Sequence, residues 1–82
     1  MHTVFPLASL SEGQSGVIHA LDLHGAMHDR LCDLGFTKGS VVTCLFSSLW
    51  GDPRAYRIRG SVIALRQSDA QHVRCCACGG ES

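Results

Sequence analysis

Arg30-Leu31-Cys32-Asp33-Leu34-Gly35-Phe36-Thr37-Lys38-Gly39-Ser40-Val41-Val42-Thr43-Cys44-Leu45-Phe46 carries both periodicities on which the fold turns. On its N-terminal side, Met27, Leu31 and Leu34 recur at helical spacing, with Asp29, Arg30 and Asp33 on the other side. Gly35 follows where a residue with positive φ usually ends a helix. The helix predicted here is about two and a half turns long, too short to persist alone in water, so packing must hold it. Beyond Gly39 the composition changes to β-branched and aromatic strand formers, Ser40 to Phe46.

Working outward, short strands surround this unit. Val17, His19 and Leu21 alternate with Ile18 and Ala20, which suits a strand before the helix. Leu7 to Leu10 is a brief apolar lead-in. Downstream, Trp50-Gly51-Asp52-Pro53 reads as a turn. Ala55 to Arg59 then alternates, with Tyr56 and Ile58 on one face and Arg57 and Arg59 on the other. Gly60-Ser61 marks a tight connection into a strand ending near Arg66. Ser68-Asp69-Ala70 suggests a single helical turn, and His72-Val73-Arg74 a last strand. The expectation is a mostly β chain: a small barrel of about five strands, with one short helix after the first strand. The domain is drawn over residues 1–74, and residues 75–82, rich in Cys and Gly, read as a flexible tail.

Eighty-two residues bound the function as well as the fold. A chain this short buries only about 60–65% of its unfolded surface, which excludes a doubly wound nucleotide-binding sheet or a two-domain enzyme. Seven Lys+Arg balance seven Asp+Glu. Zero net charge argues against nucleic acid, where phosphate neutralisation supplies most of the affinity. Charged residues are 17% of the chain, a sparse complement that favours a homo-oligomer or a standing partner. No leader pattern and no apolar run of membrane-spanning length is expected, and five cysteines, an odd number clustered late, suit a reducing cytosol.

These pieces, in order, carry a family resemblance. Arg30-Leu31-Cys32-Asp33-Leu34-Gly35-Phe36 followed by Lys38-Gly39 and a strand resembles the helix–glycine–strand signature of the ferrous iron transport protein A (FeoA) family. Leu10-Ser11-Glu12-Gly13 with Gly16-Val17-Ile18 resembles its opening. Gly51-Asp52-Pro53, Tyr56-Arg57-Ile58-Arg59-Gly60, Ile63-Ala64-Leu65-Arg66 and Asp69-Ala70 resemble its second half. The likeness runs from about Leu7 to Val73. Lys38 stands where the family often has proline, and the Cys-rich tail lies outside the pattern. The resemblance implies an SH3-like β-barrel in the bacterial cytoplasm, peripheral at the inner membrane only through its partner, the cytosolic part of the FeoB ferrous-iron transporter. A related module occurs in metal-dependent repressors, so a regulatory relative acting by protein contact is a weaker alternative.

The chemical candidates are few. No Gly-rich phosphate loop with Lys-Ser/Thr is present, and nothing places a nucleophile beside a base, so no enzyme is expected. Asp29 and Asp33 lie one turn apart on the solvent side of the helix and read as simple solvation. In the tail, Cys75, Cys76 and Cys78, with His72 three residues before Cys75, can share one Zn²⁺ or Fe²⁺. That pattern supports a second reading, a metal sensor or delivery protein, beside the plainer one of exposed thiols and a remote redox one. No cofactor is required by the first reading. His24 and His28, four apart, read as surface histidines or a metal pair. Cys32 and Cys44, within apolar segments, are expected to pack as small hydrophobes. For a partner, Arg54, Arg57, Arg59 and Arg66 fall in a stretch without acids, with Arg57 and Arg59 forming a fork for carboxylates, and Leu49-Trp50 forming a second contact at a loop tip.

Overall fold

The computed structural model describes residues 3–47 and 52–77. Six strands form one antiparallel sheet: β1 (Val4–Pro6), β2 (Ser15–Leu21), β3 (Val41–Ser47), β4 (Arg54–Ile58), β5 (Ser61–Leu65) and β6 (Val73–Ala77). Their spatial order is β1-β6-β2-β3-β4-β5, so β1 and β5 are edges and the sheet does not close. Two short helices, α1 (Ala26–Asp33) and α2 (Gln67–Ala70), and a 3₁₀ turn over Leu7–Ser9 complete it. The mostly β class with a short helix holds, but the expected small barrel is an open sheet among the described residues, with one strand more than expected. The extra strand is β1, three residues ending in Pro6, too short and too proline-bounded to show periodicity. It places α1 after the second strand.

The core gathers the inward residues of the strands and the apolar side of α1. Tyr56, Phe36, Leu7, Ile18, Leu31 and Ile58 are its largest fully buried side chains. Each contributes about 1.5–3 kcal/mol by leaving water. In α1, Leu31 is buried and Met27 and Leu34 pack on the core half-buried, while Asp29, Arg30 and Asp33 are exposed. Gly35 ends the helix at φ 108°. The Gly35 N–H donates to the Cys32 carbonyl at 3.1 Å and the Phe36 N–H to the Leu31 carbonyl at 2.9 Å. This pair of bonds is a Schellman closure, and its accompanying apolar pair, Phe36 and Leu31, lies in the core. The same residue therefore stops the helix and aims β3 into the sheet.

The last strand corrects the domain boundary. Residues 75–77 are not a loose tail, because β6 runs through Ala77 between β1 and β2, pairing Cys75 with Phe5 and Ile18. Backbone bonding on both sides holds a strand whose sequence shows little β pattern. Val73 and Cys75 point inward and are fully buried; Arg74 and Cys76 are half-buried on the other face. Gly16, paired with Ala77 on the neighbouring strand, lets the strands approach, since a Cβ there would lie 3.3 Å from Cys75 Cβ and from the Phe5 ring.

Burial pushes the Cys75 thiol up to about 11, with neighbouring Cys76 adding to the shift. Burial also raises Cys44 and Tyr56. Raised acids are neutral in both states below the unfolded value, so their contribution is intact there and is lost as pH rises through the folded value. Stability in urea should therefore be flat up to about pH 9 and fall toward pH 11, the window set by Cys75. At pH 8, iodoacetamide should label Cys32 and Cys76 in the native protein, and Cys44 and Cys75 only once urea unfolds it. Equal labelling of Cys75 and Cys76 in the native state would contradict this packing.

Candidate functional site

The arginines expected to concentrate positive charge on one hairpin, with Arg57 and Arg59 on the same side, are split three ways. Arg54 turns inward: its Nη1 donates to the Leu10 carbonyl at 2.7 Å and the Ala8 carbonyl at 3.0 Å. It ties the 3₁₀ turn to β4 and is a structural residue. Arg57 stands exposed in mid-strand, between Thr43 and Val62 on the neighbouring strands. Arg59 does not share its side. Strand β4 ends at Ile58, paired with Ser61, and Arg59-Gly60 form a two-residue turn with φ of 48° and 83°. Positive φ at both positions matches the twist of a tight hairpin and takes Arg59 out of the strand's alternation. Its side chain lies across Gly35, with Nη1 3.4 Å from Ser40 Oγ. The Arg57–Arg59 fork is therefore absent. Leu49 and Trp50 lie outside the described residues.

The C-terminal metal set does not converge either. Strand alternation puts Cys75 in the core and Cys76 on the opposite face, and His72 is exposed just ahead of the strand. Cys78 lies outside the described residues. Among the described residues no group of three or more His, Cys, Asp or Glu is arranged to hold a metal ion. Cys44 packs in the core as expected, but Cys32 does not: it is half-buried on the surface of α1. Its sulfur lies 3.8 Å from His28 Nε2, one turn back along the helix. His24 precedes the helix.

The sheet's solvent face carries the apolar surface that periodicity could not reveal. Val4, Cys76, Val17 and Val41 pair in register across β1, β6, β2 and β3. Val4 and Val41 in that row are exposed, as are Val62 and Phe46.

A concave candidate lies between α1 and the β5 edge. Met27, Leu34 and Ile63 give a half-buried apolar floor to a cleft of about 100 Å³, closed beneath by Leu31 and Leu65. Exposed Arg30 and Arg66 flank it, with Asp69 at the same rim. The helix stripe, the edge strand and the short turn of α2 position these groups. Asp52 anchors that turn, its Oδ1 accepting from the Gln67 N–H at 2.9 Å. The cleft can take one apolar side chain and offers guanidinium forks to carboxylates beside it. The sequence signal was present in the Met27, Leu31, Leu34 stripe, but the stripe is wider than the core it covers. Only the position of β5 shows which part is left open.

Comparison with known proteins places this architecture. The family model described as the FeoA domain matches residues 5–75. A curated relative, the Fe(2+) transport protein A/Fe(2+) transporter FeoB fusion protein of Porphyromonas gingivalis, is 30% identical over 67 residues. That match spans 82% of this chain but only 8% of the fusion protein. The solution structure of FeoA protein from Chlorobium tepidum superposes with a TM-score of 0.87 at 23% identity, over 95% of this chain and 74% of that one. The crystal structure of Stenotrophomonas maltophilia FeoA complexed with zinc, an SH3 domain protein, gives 0.75 at 33% identity, over 84% of this chain and 86% of that one.

Proposed function

The chain belongs to the FeoA domain family, whose work is in ferrous iron transport, and from that premise we propose that it is a docking module for the cytosolic part of a FeoB-type transporter. One observation carries this reading: in Porphyromonas gingivalis a domain of this kind and the transporter are one polypeptide. Covalent linkage maintains a high effective concentration of two modules that work against each other's surfaces. No helix among the described residues is long and apolar enough to cross a membrane. The location that goes with this docking reading is the cytoplasm, at the membrane through the partner.

The docking site we assign is the cleft between α1 and β5. An apolar side chain from the transporter would enter over Met27, Leu34 and Ile63, while its flanking carboxylates meet Arg30 and Arg66. Such rim charges set encounter rate and register more than raw affinity. The charge-reversed double variant Arg30→Glu/Arg66→Glu should lose at least about tenfold in affinity for the transporter's isolated cytosolic domain, or about 1.4 kcal/mol. Arg57→Glu, on the sheet's outer face, should bind as the parent does. Titration calorimetry on the three proteins decides. Loss confined to Arg57→Glu would move the interface to that face, and an inert parent would remove the docking function.

A further inference from the structure

We propose that the outer edge of β5 is a strand-addition site: an extended, acidic segment of the transporter's cytosolic part pairs its backbone with β5 and lays an apolar side chain into the cleft beside it. This deepens the docking reading and rests on it. A sheet edge presents a row of unpaired N–H and C=O groups, and proteins ordinarily blunt it with Lys, Pro, a bulge or a very short strand. β1 is blunted in that way, with three residues ending in Pro6. β5, the other edge, is Ser61-Val62-Ile63-Ala64-Leu65, without a charge or a proline, and its register with β4 runs without a bulge. The tight turn at Arg59-Gly60 fixes which groups this edge offers. In a two-residue hairpin the closing pair, here Ile58 and Ser61, exchanges backbone bonds, and bonded pairs then alternate along the strands. Ser61, Ile63 and Leu65 therefore bond to β4, while Val62 and Ala64 turn their N–H and C=O groups outward. Among the described residues, none of the backbone bonds outside the strand ladders reaches them.

The occupant follows from what surrounds this edge. Ile63, Ala64 and Leu65 line the cleft in succession. A strand that shows consecutive residues to a cleft borders it with its edge, since a face shows only every second one. Cross-strand neighbours share a face, so the residue opposite Ile63 turns its side chain over Met27 and Leu34. Arg30 and Arg66 stand exposed at the rim, and no acid occurs from Pro53 to Ser68, the stretch that holds the β4–β5 hairpin. Asp69 is outnumbered there by the two guanidinium groups, and carboxylates of the added segment complete the balance. Val62, 61% exposed, and exposed Ala64 lie on the outer face, where the next residues of the same segment cover them. A second copy of this chain fits less well. Antiparallel pairing of β5 with itself, Ile63 opposite Ile63, would set Arg66 of each copy against the Arg59-Gly60 turn of the other, and like charges facing across paired strands are destabilising.

Amide hydrogen exchange on the full chain, alone and with the transporter's isolated cytosolic domain, provides the test. The Val62 and Ala64 N–H groups should exchange freely in the chain alone and at least about tenfold more slowly in the complex. Ala64→Pro removes an outward donor and leaves the ladder to β4 intact, so it should fold and bind at least about tenfold more weakly. Ala64→Ser keeps the N–H and should bind as the parent does. Circular dichroism checks the fold; if the proline variant does not fold, exchange in the parent decides. Unslowed exchange at Val62 and Ala64, in a complex that still depends on Arg30 and Arg66, overturns strand addition and leaves the cleft as the docking site. Parental affinity in a folded Ala64→Pro does the same. A parent that does not bind the cytosolic domain overturns both readings. A dimer of the chain alone, seen by sedimentation and lost in Ala64→Pro, assigns the edge to a second copy and overturns the proposal too.

Discussion

Arg54→Ala should lower the stability of the chain by about 2–4 kcal/mol, the cost of two charge-assisted hydrogen bonds that share one donor. The lost partners are the Ala8 and Leu10 carbonyls at the end of the 3₁₀ turn. Carbonyls at the end of a helical turn have no intrahelical partner, and a half-buried guanidinium is what satisfies them. Without it, Leu7 and Leu10, both in the core cluster, lose the tether that holds their segment against β4. For a domain of this size total stability is only about 4–12 kcal/mol, so the variant stands near the edge of folding at room temperature. Arg54→Lys should recover part of the loss at most, since an ammonium lacks the planar fork. Arg57→Ala, exposed on the same strand, should stay within about 0.5 kcal/mol of the parent. Urea unfolding of the three variants tests the assignment. A loss below about 1 kcal/mol at Arg54 would return that residue to the surface role its sequence position suggested.

Gly35→Ala should cost about 2–3 kcal/mol, for two reasons that can be separated. The first is the backbone: φ of 108° is a conformation that L side chains rarely adopt. The second is steric, because an added Cβ would lie 2.7 Å from Arg59 Cδ and 3.1 Å from Cγ. Both close-packed features meet where α1 ends, so the substitution strains the Schellman bonds that direct the chain into β3. In a domain of this length the loss corresponds to about 10–20 °C in Tm. The double variant Gly35→Ala/Arg59→Ala removes the clash and keeps the backbone strain. It should recover no more than about 1 kcal/mol, the smaller, steric share. Calorimetric Tm values for the single and double variants measure the division. Full recovery in the double variant would show that contact with Arg59, rather than φ, is why glycine stands there.

Both results bear on the proposed function, since α1 supplies one wall of the cleft. A helix of eight residues has no independent stability, so anything that loosens its C-terminal closure loosens that wall as well. Affinity measurements on Gly35→Ala are therefore informative only below its melting range.

What the sequence determined by itself was local. The 3.6-residue stripe of Met27, Leu31 and Leu34, the stop at Gly35, the β-branched run from Val41 and a tight connection at Gly60 all follow from steric and solvation preferences acting within a few residues. The order of these signals was enough to carry the resemblance to the FeoA family. The tertiary structure decided whatever depends on a distant partner. Cys75 and Cys76 had the composition of a loose end, yet pairing with β1 and β2 on either side makes them strand, because backbone bonds to neighbours outweigh weak propensity. Arg54 and Arg57 lie in the same acid-free stretch of sequence, and only the carbonyls of Ala8 and Leu10, more than forty residues from Arg54, show that one of them is tied inward. Cys32 read as core by its apolar neighbours but rests beside His28 at the helix surface, because an eight-residue helix turns only a narrow stripe toward the sheet. Periodicity tells which side chains share a face; it takes the packed chain to say what that face meets.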